Sequence, residues 1–204
     1  MQDNENNWMN IADIMSALMM IFMFISIAFL YQILNEKEIY KVELNKALHK
    51  EFDKDLDRWK AVITKDNIIR FNAPFKVGSS ELPVKFSYIL SDYFPRYIKV
   101  LTKANFKNEI DEVRVEGHTS NGWGLLIDKK KIYLKNMNLS QERASNVLAY
   151  CYDLNNLIVS RNIDWLQNNL RANGMAFSKL IYKDASTKQD KVRSRRVEFK
   201  VVIK

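Results

Sequence analysis

Asp13 stands third in an apolar run, "IADIMSALMMIFMFISIAFLYQIL" (11–34), that carries no other charge. A carboxylate at membrane depth costs on the order of 2.5–3.5 kcal/mol to insert, and such groups usually face a protein or a watery pathway. Burial raises a carboxyl's pKa, so a group so placed can take up an ion or proton from one side and release it to the other. Ser16 and Met20, at i+3 and i+7, share the helical face of Asp13 and could line the same path. The alternative is an aspartate at the membrane boundary, because it comes so early in the run.

The chain offers little other reaction chemistry. His49 and His118 are its two histidines, and no Cys/His cluster has zinc spacing. Cys151, the single cysteine, lies in "VLAYCYDL" and is expected to pack as a small apolar residue. No phosphate loop, dinucleotide fingerprint, nucleophile elbow or metalloprotease helix occurs. Neither a catalytic residue nor a metal site is expected, and nothing argues for an enzyme.

The elements that must position Asp13 begin with the run itself. Its 24 residues reach roughly 36 Å as a helix, enough to cross a hydrocarbon core of about 30 Å with some tilt. The preceding "MQDNENNW" has no Lys or Arg and no small-residue cleavage site follows, so an uncleaved single-pass anchor is expected rather than a signal peptide. Trp8 and Tyr31 are the expected interfacial residues. Lys37, Lys41, Lys46 and Lys50 follow the span and no Lys or Arg precedes it, a bias that by itself would hold the following domain in the cytoplasm.

The 204 residues, with net charge +8, divide unevenly in charge. Residues 1–63 carry 7 Lys/Arg against 10 Asp/Glu, a net of −3, whereas residues 64–204 carry 25 against 14, a net of +11. A basic globular part implies an anionic partner: nucleic acid, a membrane surface or a wall polymer. The clusters "DKKK" (128–131) and "RSRR" (193–196) lack interleaved aromatic residues at stacking positions, so no nucleic acid is expected.

Four segments follow: a tail (1–10), the span (11–34), an amphipathic linker helix (35–63) and a mixed α/β domain (64–204). Leu44, Leu48, Phe52, Leu56, Trp59 and Ile63 form a stripe on the linker helix, suited to packing on its own domain, on a second copy or on the membrane. Strands are expected at 66–71, 111–118 and 195–203, where alternation is clear. Helices are expected at 82–104 with a break near Pro95, at 139–158 with Ser140 opening it, and at 163–174 ending at Gly174.

Four stretches of this domain together resemble the OmpA/MotB C-terminal peptidoglycan-binding family. They are "FNAPFKVGSSELP" (71–83), "VRVEGHTSNG" (113–122), "NLSQERASNVLAY" (138–150) and "RSRRVEFKVV" (193–202), in family order and covering roughly 66–204. The resemblance implies a small βαβαβ-type α/β domain that clamps the peptide stem of peptidoglycan. It places Arg143 against a stem carboxylate, a role that suits a fixed guanidinium fork. Asn136 and Leu139 would line the same groove, and Gly117, His118, Thr119 and Ser120 would shape the facing loop. Ser120 replaces the family's loop aspartate, the partner of the stem's amine.

Tail, span, amphipathic helix and wall domain together resemble the plan of MotB-like stator subunits. "ADIMSALMMIFMFISI" with "HTS" and "NMNLSQERA" is similar to the ZorB family of the Zorya anti-phage defence system. The resemblance implies an inner-membrane protein with a cytoplasmic N-terminus and a periplasmic domain, against the lysine bias. It implies a homodimer inside a hetero-oligomer with a multi-span MotA/ZorA-like subunit, and no cofactor beyond the transported ion, H+ or Na+. Anti-phage defence, flagellar torque and a passive wall anchor without ion traffic stay open as outputs.

Overall fold

The computed structural model of the chain describes residues 2–72, 75–183 and 187–204, with side chains described from residue 11 onwards. It contains two compact units, Met1–Val42 and Glu43–Lys204.

In the first unit every described residue lies in helix α1 (Gln2–Trp59), and residues 11–39 are exposed throughout. A helix apolar on all sides and covered by nothing of its own chain suits lipid or a partner, not water. The expected interfacial Tyr31 is 72% exposed, and Trp8 lies outside the described side chains.

The second unit starts inside the same helix. Residues 43–59 lay Leu44, Leu48, Phe52 and Trp59 into the core of their own domain, all nearly or fully buried. Of the three expected fates of the stripe, packing on its own domain is the one realised. The helix does not reach Ile63. It stops at Trp59 because Lys60 takes a left-handed conformation (φ 51) and donates back to the Asp57 carbonyl at 3.1 Å, closing the last turn. Ile63 instead ends strand β1 (Ala61–Ile63), which pairs antiparallel with β2 (Ile68–Asn72).

The sheet continues through β3 (Ile110–Gly117), β4 (Leu170–Gly174) and β5 (Arg196–Ile203) in the order β1-β2-β5-β3-β4. Only the β3–β4 pair is parallel among the described strands. Helix α2 (Val84–Leu101) lies over β2 and β5 through aromatic rings: Tyr93 meets Phe71 and Phe199 with centroids 5.1 Å away in each case. No break occurs at Pro95. One missing N–H is outweighed by the burial of Tyr93, Phe94, Tyr97 and Ile98 around it. Arg96 ties α2 to the end of α1, reaching Glu51 at 2.8 Å and Asp55 at 2.9 Å. Short helix α3 (Ala104–Lys107) then leads into β3.

Helix α4 (Lys129–Tyr152) starts ten residues earlier than the sequence suggests. Its cap is Asp128, whose carboxylate accepts from the Lys130 and Lys131 amides, so "DKKK" opens a helix and Ser140 sits inside one. After α5 (Leu157–Arg161) and α6 (Ile163–Asn169), the expected helical run to Gly174 turns into β4 instead, held by parallel pairing of Val113 through Gly117 with Leu170 through Gly174. Helix α7 (Lys191–Ser194) precedes β5.

Gly117 and Gly174 are direct partners across β3 and β4, and together they seat α4 on the sheet. A Cβ at Gly117 would overlap the Ser140 carbonyl oxygen, and one at Gly174 would lie 2.7 Å from the Gln141 amide nitrogen. Both obstacles are backbone, so neither can rotate aside. Gly117→Ala is expected to cost about 1–3 kcal/mol or more. That corresponds to a melting-temperature drop of about 3–10 °C, read by circular dichroism. An unchanged melt would mean that α4 does not sit this close.

Candidate functional site

Period-two alternation sorts the loop motif "EGHTS" onto two faces of the sheet. Gly117 and Thr119 point to the α4 side, whereas Glu116 and His118 point to the other. On the α4 side lies a cavity of about 460 Å³, walled by Thr119, Ser120, Asn136, Leu139 and Arg143. Five of the seven residues the resemblance brings to this site therefore line one groove, and Gly117 and His118 do not. Val77, Gly78, Asn121, Gly122, Trp123, Gly124, Lys191 and Arg195 complete it.

The loop is braced from behind. Asn136 donates to the Gly122 carbonyl of the loop at 3.1 Å and to the Ile132 carbonyl of its own helix at 2.9 Å, so both bonds are made within the protein. Ser140 Oγ accepts from the Ala176 amide at 2.9 Å, and Thr119 N donates to the Ala176 carbonyl at 2.8 Å. Gln141 acts as an extra strand at the β4 edge: it accepts from Gly174 N at 2.7 Å and donates to Ala172 O at 3.2 Å.

Arg143 is 2% exposed and has two duties. Its Nε donates to the Ser79 carbonyl at 2.8 Å and its Nη2 to the Lys76 carbonyl at 2.9 Å, so the side chain holds the 76–79 segment against α4. Its guanidinium also lies 5.0 Å from the centre of the Phe75 ring. No described hydrogen bond uses Nη1. Burial, and then the charge of Arg195, lowers the guanidinium to about 10, which leaves it cationic at neutral pH. The bracing role and the groove-lining role are both present.

His118 is not in the groove. It is 1% exposed on the opposite face, with Nε2 3.5 Å from Glu116 and 3.3 Å from Glu198. Glu198 also accepts from the Nε of Arg70 and of Arg196, each at 2.6 Å. Burial alone would raise the Glu198 carboxyl, but bonding and charge from His118 and Arg196 hold it well below the usual range. The same contest, won by His118 and Lys179, lowers Glu116. The ligating atoms of Glu116, His118 and Glu198 lie within 4.8 Å of one another, a spacing a metal ion could use. The two arginines and Lys179 already supply the positive charge these carboxylates need, which favours an internal ion-pair network tying β3 to β5.

Lys191 and Arg195 were not legible as groove residues, although "RSRR" marked a basic cluster at this point of the chain. Of the four family-like stretches, "FNAPFKVGSSELP" crosses residues 73 and 74, which lie outside the described ones.

In the first unit, Asp13 and Ser16 are exposed on the apolar helix, and the Ser16 hydroxyl donates to the Ala12 carbonyl at 2.8 Å. That bond uses the hydroxyl proton and leaves Oγ lone pairs on the face shared with Asp13.

No protein-family profile matches the chain. The Zorya protein ZorB of Escherichia coli is 43% identical over 215 residues, covering 98% of this chain and 89% of that protein. Among solved structures, the cell wall anchor of the T6SS from Pseudomonas aeruginosa is 18% identical, covers 77% of this chain and 97% of its own, and has a TM-score of 0.49. A putative MotB-like protein from Desulfovibrio vulgaris is 18% identical, with 80% and 96% covered and a TM-score of 0.47. The periplasmic domain of Helicobacter pylori MotB is 15% identical, with 67% and 81% covered and a TM-score of 0.45.

Proposed function

The chain belongs to the ZorB family, and on that premise we propose that it is the wall-anchoring subunit of an ion-driven stator in the inner membrane, working in Zorya anti-phage defence. The observation that carries the wall-binding half is the groove that gathers Thr119, Ser120, Asn136, Leu139 and Arg143. It is large enough for a peptide stem, and its cations suit the stem's carboxylates.

The ion-driven half rests on Asp13. It is the single carboxylate of the apolar stretch 11–34, which lies in a helix long and apolar enough to cross a membrane. Asp13 takes the ion, H+ or Na+, and releases it to the other side, with Ser16 beside it. A multi-span MotA/ZorA-like subunit surrounds the helix and completes the path, because an exposed carboxylate in lipid needs a polar partner. Two copies of this chain form the core of that assembly. The N-terminus is cytoplasmic and the sheet domain periplasmic, where the wall is.

Topology tests the whole reading at once. An alkaline phosphatase fused after Lys204, which folds only in the periplasm, should be active, and a fluorescent protein that fails to mature there should be dark. The reverse pair of results would place the domain in the cytoplasm and end the reading.

A further inference from the structure

The groove differs in charge from one built to hold an amino acid's ammonium and carboxylate together. Three cations, Arg143, Lys191 and Arg195, line it, and no described Asp or Glu does. Ser120 contributes a neutral hydroxyl from the loop side of the groove. Two carboxylates adjoin these cations in sequence: Glu142 is exposed and does not line the groove, and Asp190 lines a neighbouring cavity, its Oδ1 accepting from the Val192 and Arg193 amides. An ammonium entering the groove would therefore face like charges across a partly desolvated space.

Two residues lining it carry buried donors that no described group accepts from. Thr119 is 3% exposed and its Oγ1 has no hydrogen-bond partner among the described residues, and Arg195 Nε is likewise buried without one. Buried polar groups are rarely left unpaired unless a ligand or ordered water completes them. The charge of Arg195 also weighs on Arg143, and an anion between them relieves that repulsion.

We propose that this groove reads two carboxylates of the wall peptide and makes no contact with a free amino group, so that stems whose amine is acylated by cross-linking bind as well as uncross-linked ones. This rests on the wall-binding reading above and names the ligand form within it. Arg143 and Arg195 take the carboxylates as guanidinium forks, Lys191 adds a point charge at the rim, and Thr119 Oγ1 donates from the floor.

The test is isothermal titration of the full chain in detergent micelles with three synthetic stem peptides. One carries a free side-chain amine and free carboxylates, one has that amine acetylated, and one has its carboxylates amidated. The first two should bind within about twofold of each other, and the third should be weaker by about tenfold or more. Arg195→Gln and Lys191→Gln should weaken the first two peptides equally, and Ser120→Asp should favour the free amine over the acetylated form. A wild-type loss of about tenfold on acetylation would overturn the proposal and leave wall binding intact. Should no peptide bind, sedimentation with intact sacculi separates the two failures: sedimentation overturns the carboxylate reading alone, and its absence overturns wall binding itself.

Discussion

Asp13→Asn is expected to abolish activity in a phage-plating assay while the protein still reaches the membrane at normal levels. The amide keeps the size and shape of the carboxyl but can neither bind a proton nor balance a cation. Insertion should be unharmed or eased, because the substitution removes a charge from the apolar helix and leaves its length unchanged. Asp13→Glu should retain partial activity if the path tolerates one more methylene. Ser16→Ala should be milder than either, since its hydroxyl already spends its proton on the Ala12 carbonyl and offers lone pairs only. A chain serving as a passive wall anchor would protect cells equally well in all versions. Full protection by Asp13→Asn at normal membrane levels would thus remove ion transport from the account.

The second large effect is expected at Arg143, and it has two parts. Arg143→Ala orphans the Ser79 carbonyl, leaves the Lys76 carbonyl with only the Ser79 amide at 3.2 Å, and opens a void beside Phe75. Unmade hydrogen bonds of this kind cost about 1–3 kcal/mol each. For a unit of this size that translates into a fall in melting temperature of about 5–15 °C. Sedimentation with purified peptidoglycan should also be lost, even well below that melt. Arg143→Lys separates the two parts: the charge stays, but a single ammonium cannot serve both carbonyls and a carboxylate. It should recover more stability than binding. Undiminished sedimentation by folded Arg143→Ala would reduce the residue to a brace.

The alternating strands were legible because their partners reinforce a local pattern, as with Val113 and Val115 in β3 and the run from Val197 in β5. Strand β4 was not, because "LRANG" has no alternation of its own and becomes a strand only by lying parallel to β3. The true start of α4 was hidden by "KKKIYLKNMN", its first ten residues, which are rich in polar side chains, although Asp128 was a readable cap. In the site, Asn136, Leu139 and Arg143 were named by the resemblance; Asn136 precedes the helix expected from 139, and the earlier start of α4 sets the three on one helix at spacings of three, four and seven. His118 was misplaced by reading the loop as a unit. One residue of alternation carries it to the opposite face, among Glu116 and Glu198. Lys191 and Arg195 come from a distant part of the chain, and only the folded sheet brings them to the groove.

The junction at Lys60 sets how the domain yields under load. One residue separates the last turn of α1 from β1, and it is pinned on both sides, by the Asp57 carbonyl and by the Asn72 amide at 3.3 Å. One residue of backbone gives at most about 3.5 Å of slack. Tension passing along the chain between residue 43 and β1 meets no coil to straighten. It runs through the Phe52–Tyr93 contact and the Arg96 clamp on Glu51 and Asp55. The piece between those two points behaves as a strut rather than a leash, and lengthening it means tearing side chains out of the core.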